Sequence, residues 1–191
     1  MKVAIVCLAI DHLIAAPVLR VATGAALTRF AAQQEQIAAQ TPACTGVMIL
    51  AAAADPIITT YVPATMVLRN RGAERLRVLS MARANHRIEN ITATGFDLVT
   101  LGAHTSRTVW ERLYGGGLMP SGTRVTLTSF DATVVEDREG VPSRVRFDFG
   151  EPLASTHLCL CVWRDGAIVR IEKPEPGEVI DLPYYPGPMG W

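Results

Sequence analysis

The sequence predicts a mainly β protein: an antiparallel β-sandwich, jelly-roll-like or immunoglobulin-like, preceded by an Ala-rich, largely helical N-terminal segment. Three observations carry this expectation. Residues 1–54 hold 16 alanines and five charges, whereas residues 55–191 hold nine alanines and 31 charges, so two kinds of structure meet at Asp55-Pro56. The second part alternates apolar and polar residues with period two over many short runs, the pattern of half-buried strands. Turn residues separate the runs at roughly the 8–12-residue spacing of a sandwich. The chain accordingly divides into a 1–54 helical and apolar segment, a 55–182 sandwich and a 183–191 extended arm.

Met1-Lys2 and the apolar run 3–10 mimic the first two regions of a signal peptide, but Asp11 and His12 interrupt the run early. That run fits a buried strand or a short apolar helix equally. Pro17 suits the first turn of a helix. Over residues 25–40, Leu27, Phe30 and Ile37 with Ala26, Ala31 and Ala38 form an apolar face at spacings of three and four. Gln33, Gln34, Glu35 and Gln36 supply much of its polar side, and Thr41-Pro42 ends it. Residues 46–54 again read as strand or helix. The most apolar long stretch, 44–62, carries Asp55-Pro56 near its middle, and a charge there costs about 2.5–3.5 kcal/mol on insertion scales. Membrane contact through 1–62 is therefore not favoured, and no clear cleaved signal peptide fixes the compartment, which stays open between a virion or assembly and an extracytoplasmic site.

Strands are expected at 57–62, 65–69, 75–81, 86–93, 96–101, 123–128, 131–136, 143–149, 157–163 and 167–172. The cleanest is 143–149, where Val145, Phe147 and Phe149 point one way and Arg144, Arg146 and Asp148 the other. In 123–128, Val125 and Leu127 turn inward. Asp165-Gly166 is a hairpin signal, and Arg138-Glu139-Gly140 and Asn70-Arg71-Gly72 read as further turns. Residues 106–114 suit a short helix, with Ser106 as N-cap and Gly115 as its stop.

Composition excludes some classes of function. The 18 basic and 18 acidic residues of the 191 cancel, which argues against bulk electrostatic binding to nucleic acid or an anionic membrane. Of the basic residues, 16 are Arg, whose planar fork suits bidentate pairing better than Lys. The four cysteines, Cys7, Cys44, Cys159 and Cys161, are too sparse for a disulfide framework, and their redox state stays open.

Several residues invite chemistry. Alternation places His157, Cys159, Cys161 and Trp163 on one strand face and Leu158, Leu160 and Val162 on the other. Two thiolates and an imidazole suit zinc or copper, so His157, Cys159 and Cys161 are the candidate metal ligands, although no second motif completes the set. The plainer reading makes the cysteines small hydrophobes in a strand covered on both faces. Gly115-Gly116-Gly117 opens a glycine-rich loop that lacks the Gly-Lys-Ser/Thr ending of a phosphate loop; a strand connection accounts for it more simply. Six arginines between 69 and 87, Arg75 and Arg77 among them, oppose Glu74 alone, while Glu172, Glu175, Glu178 and Asp181 oppose Lys173. Such complementary patches suit contacts between copies, or merely solvated strand faces. The arm carries Tyr184, Tyr185, Met189 and Trp191 among prolines and glycines, an aromatic anchor for its own body or for a neighbour.

No catalytic signature stands out, with His12, His86, His104 and His157 scattered. The leading expectation is therefore a structural, self-assembling protein, a capsid, virion or shell component, using its terminal arms for subunit contacts. The alternative is a ligand- or metal-binding sandwich module, membrane-associated or extracytoplasmic. A third reading is an enzyme with a loop-built site near 104–122. No cofactor is expected.

Overall fold

A computed structural model describes residues 16–53, 56–69, 76–102 and 117–187. The chain is mainly β. Its elements run α1 (Ala16–Gln40), β1 (Val47–Leu50), α2 (Pro56–Leu68), β2 (Leu76–Val78), β3 (His86–Glu89), β4 (Gly95–Thr100), β5 (Arg124–Leu127), β6 (Phe130–Arg138), β7 (Val141–Asp148), β8 (Leu158–Arg164), β9 (Ala167–Arg170) and β10 (Ile180–Leu182).

These strands form two sheets, a four-stranded one ordered β2-β1-β8-β9 and a six-stranded one ordered β10-β3-β4-β7-β6-β5. The larger sheet is antiparallel throughout, as expected. The smaller is mixed, because β1 runs parallel to both β2 and β8. A parallel neighbour needs a crossover, and α2 supplies it between β1 and β2. Strands were expected at 57–62 and 65–69, and the structure forms α2 over most of that stretch instead. The β-branched run of Ile, Thr and Val residues misleads propensity there. What decides the matter is Val62 and Met66, one helical turn apart, both buried in the core. Pro63 lies inside the helix and removes one of its hydrogen bonds.

Two apolar clusters hold the layers together. One joins β8 and β1 to the helices, through Met48, Leu50, Cys159, Cys161 and Trp163 with Ile37, Val62 and Met66. The other joins Ile49, Leu158, Leu160 and Val162 of the same two strands to Ile88, Phe96, Leu98 and Phe147 of the larger sheet. The small sheet is thus a middle layer, and β8 is buried on both faces, which is why its sequence is apolar at every position from 158 to 163. Strands from both sides of the composition break share this sheet.

Among its described side chains, helix α1 is buried toward its C-terminal end. Gln34, Ile37, Ala38 and Thr41 are buried, and the Thr41 N–H and Oγ1 both donate to the Ile37 carbonyl. The expected apolar face is therefore rotated: Leu27 is 62% exposed, while Gln34, assigned to the polar side, is 2% exposed. The two hairpin turns form as read. Glu139-Gly140 and Asp165-Gly166 both carry positive φ at each residue, the twist that suits a two-residue hairpin loop. Residues 3–10, Asn70-Arg71-Gly72 and 106–114 lie outside the described residues. Among the described residues, no helix is long and apolar enough to cross a membrane; the stretch 44–62 is divided between β1 and α2.

Candidate functional site

The two sheets differ in width, and that mismatch makes a cavity. Four strands cannot cover six. The inner faces of β5, β6 and the far part of β7 project past the small sheet and bound an open cavity of 340 Å³. Its floor includes Phe130 and Phe147, whose rings meet edge to face at 5.4 Å. Val125, Leu127, Ala132 and Val145 continue the apolar wall. Period-two alternation places all of these on one side of the sheet, with Arg124, Asp131 and Arg146 on the other. Val125 and Leu127 remain 40% and 46% exposed, a cost left standing because nothing among the described residues covers them.

The opposite wall is residues 78–82, the strap that leaves β2. Leu79 donates its N–H to the Leu50 carbonyl, and the Ser80 carbonyl accepts from Ala53 N–H at 2.8 Å, so the strap is held against the chain following β1. Ser80 is one of the few polar groups in the lining, with Thr100 and Thr123. Its Oγ lies 2.8 Å from Nε2 of His86 and accepts from the Ala82 N–H at 3.1 Å. His86 is 1% exposed, on the inward side of β3 beside Ile88. Sequence reading counted His86 only as one of four scattered histidines. A serine six residues before a histidine has no recognised spacing, and the strap that folds one onto the other has no periodicity to reveal it.

The outward face of the large sheet carries an ionic network. Asp97 is buried and accepts from Arg146 Nε and from Asn90 Nδ2, the latter at 2.8 Å. Arg144 reaches Glu89 at 3.0 Å and Glu136 at 3.3 Å. Cross-strand register sets Arg146 opposite Asp97 and Arg144 opposite Glu136, favourable pairs of opposite charge.

The expected metal ligands separate. Cys159 forms a disulfide with Cys44, with Cα atoms 6.1 Å apart, so its sulfur is not a thiolate ligand. His157 is exposed at the strand's start. Cys161 is free and buried, and its thiol is pushed up to about 11 by burial, against a small opposing effect of Arg170. No group of three His, Cys, Asp or Glu among the described residues is placed to hold a metal ion. The faces themselves fall as read: Cys159, Cys161 and Trp163 pack with the helices, Leu158, Leu160 and Val162 with the large sheet.

Tyr184 and Tyr185 are half-buried against the chain's own helix-side core, and Trp163 Nε1 donates to the Pro186 carbonyl at 2.9 Å. Arg77 is half-buried, its Nη1 donating to the Leu76 carbonyl. Gly117 is exposed; Arg75, Gly115, Gly116, Met189 and Trp191 lie outside the described residues. No known family, no curated protein and no solved structure matches this chain.

Proposed function

We propose that the chain is a binding module of β-sandwich type whose ligand is a small apolar molecule. The observation that carries this reading is the 340 Å³ cavity where the large sheet outruns the small one, with an apolar wall and a few polar groups at Ser80, Thr100 and Thr123. Cavities of this size and lining are the usual form of small-molecule sites. A ligand there covers Val125 and Leu127, which the other described residues leave exposed.

The test is a fluorescence titration with N-phenyl-1-naphthylamine, a neutral apolar probe. Saturable binding at one site is expected, and Ala132→Phe, which fills the cavity, is expected to weaken it at least about tenfold, the equivalent of 1.4 kcal/mol. Unsaturable binding, or equal affinity in the variant, contradicts the reading.

Self-assembly, as a shell or virion component, is the second reading. What favours it is β5, an edge strand exposed at all four positions, since an uncovered apolar edge is a template for another chain. Light scattering separates the two: a large assembly that the apolar probe does not dissociate supports the second reading against the first.

A further inference from the structure

We infer that the cavity is also a site of acyl transfer, with Ser80 as nucleophile and His86 as its general base, acting on esters of apolar carboxylic acids. This rests on the binding reading above. Ser80 faces the cavity, and behind it the imidazole Nε2 stands 2.8 Å from Oγ, the separation an activated serine needs. The direction follows the imidazole tautomer. Ala82 N–H already donates to Oγ at 3.1 Å, so the hydroxyl proton is left to point at Nε2 when the imidazole carries its own proton on Nδ1. Burial of His86 at 1% exposure holds the ring in one orientation and keeps bulk water from competing for Nε2.

The substrate class follows from the walls. An acyl chain lies along Val125, Leu127 and Phe130 with its carbonyl at Ser80. Oγ attacks the carbonyl carbon as its proton passes to Nε2. The carbon–oxygen bond to the alcohol then breaks, and the departing oxygen takes the proton back from Nε2. A single water admitted to the cavity, the second reactant, attacks the acyl carbon and gives a proton to Nε2. As the bond from that carbon to Oγ breaks, Nε2 returns the proton to Oγ, so the carboxylic acid leaves and Ser80 is restored. No oxidant, metal or cofactor enters this balance.

The test uses full-length protein, p-nitrophenyl butyrate and octanoate, and an alkyl fluorophosphonate. The expected result is hydrolysis that N-phenyl-1-naphthylamine inhibits competitively and that Ser80→Ala lowers at least about 100-fold. A phosphonate adduct on the peptide containing Ser80 is expected in the unsubstituted protein, a readout that does not depend on the variant folding. Equal rates in Ser80→Ala, or no adduct at Ser80, overturn the inference. If the probe binds saturably while neither ester is cleaved nor Ser80 labelled, acyl transfer fails and the binding reading stands; if the probe does not bind, both fail.

Discussion

The sulfur of Cys159 shows how one position in the middle layer is committed. Its disulfide to Cys44 closes a loop across a sequence separation of 115 and ties the turn after α1 to the central strand β8. Chain entropy assigns such a cross-link about 5 kcal/mol at 25 °C. Cys44→Ser/Cys159→Ser is therefore expected to lose between about 2 and 5 kcal/mol in urea unfolding, and a loss below about 1 kcal/mol contradicts that role. Asp137 is a different kind of anchor. The backbone N–H groups of Ser121 and Gly140 donate to its carboxylate and hold it below the ordinary carboxyl value of 3.8. A depressed carboxyl stabilises the fold at neutral pH, and that contribution is lost as pH falls through the depressed value. Carboxyl NMR titration should place Asp137 below 3.8 in the native protein, and Asp137→Asn should flatten the acid end of the stability profile. A midpoint at or above the ordinary value contradicts the geometry.

At the scale of elements, the β6–β7 hairpin depends on its two left-handed residues. Gly140 sits at φ 76°, and a Cβ there would lie 2.8 Å from the Leu118 side chain. Gly140→Ala is expected to cost about 1–2 kcal/mol, read as a lower urea midpoint at unchanged slope, whereas Glu139→Asn, which favours the left-handed region, should be neutral or stabilising. An unchanged midpoint in Gly140→Ala contradicts this account of the turn. This hairpin was legible in the sequence, because its turn residues are dictated locally and its strand 143–149 alternates without a break. The faces of β8 were legible for the same reason. Helix α2 was not: its Ile, Thr and Val residues favour strands one at a time, whereas the helix follows from burying Val62 and Met66 one turn apart in the crossover from β1 to a parallel β2. The parallel pairing of β1 was equally hidden, since a fully buried strand in a mixed sheet has no alternation to read. Gln34 shows the limit at a single helix face: spacings of three to Ile37 and four to Ala38 put it inward, and polarity alone placed it outward.

Over the whole molecule, the proposed binding function rests on the unequal sheets. The four-stranded sheet is covered by helices on one side and by the larger sheet on the other, and the excess strands β6 and β5 are left to frame a cavity. Sequence periodicity reported which residues face inward there, Val125, Leu127 and Val145 included, but it cannot report how far the other described residues cover them. That depends on the relative widths of two sheets. For the same reason the pairing of Ser80 with His86 appeared only when the strap after β2 was placed against β3. The terminal arm, expected to anchor on a neighbour or on its own body, has Tyr184 and Tyr185 on the chain's own core, which weakens the argument for subunit contacts through those two residues.

The central claim is that a small apolar molecule enters this cavity, and methyl NMR during titration with N-phenyl-1-naphthylamine tests it most directly. The account predicts saturable shifts at Leu127, Val134 and Val145, which line the cavity, with Val62 and Met66 in the helix-side core unmoved. Shifts concentrated at Val62 and Met66, or spread over the surface without saturation, would contradict it.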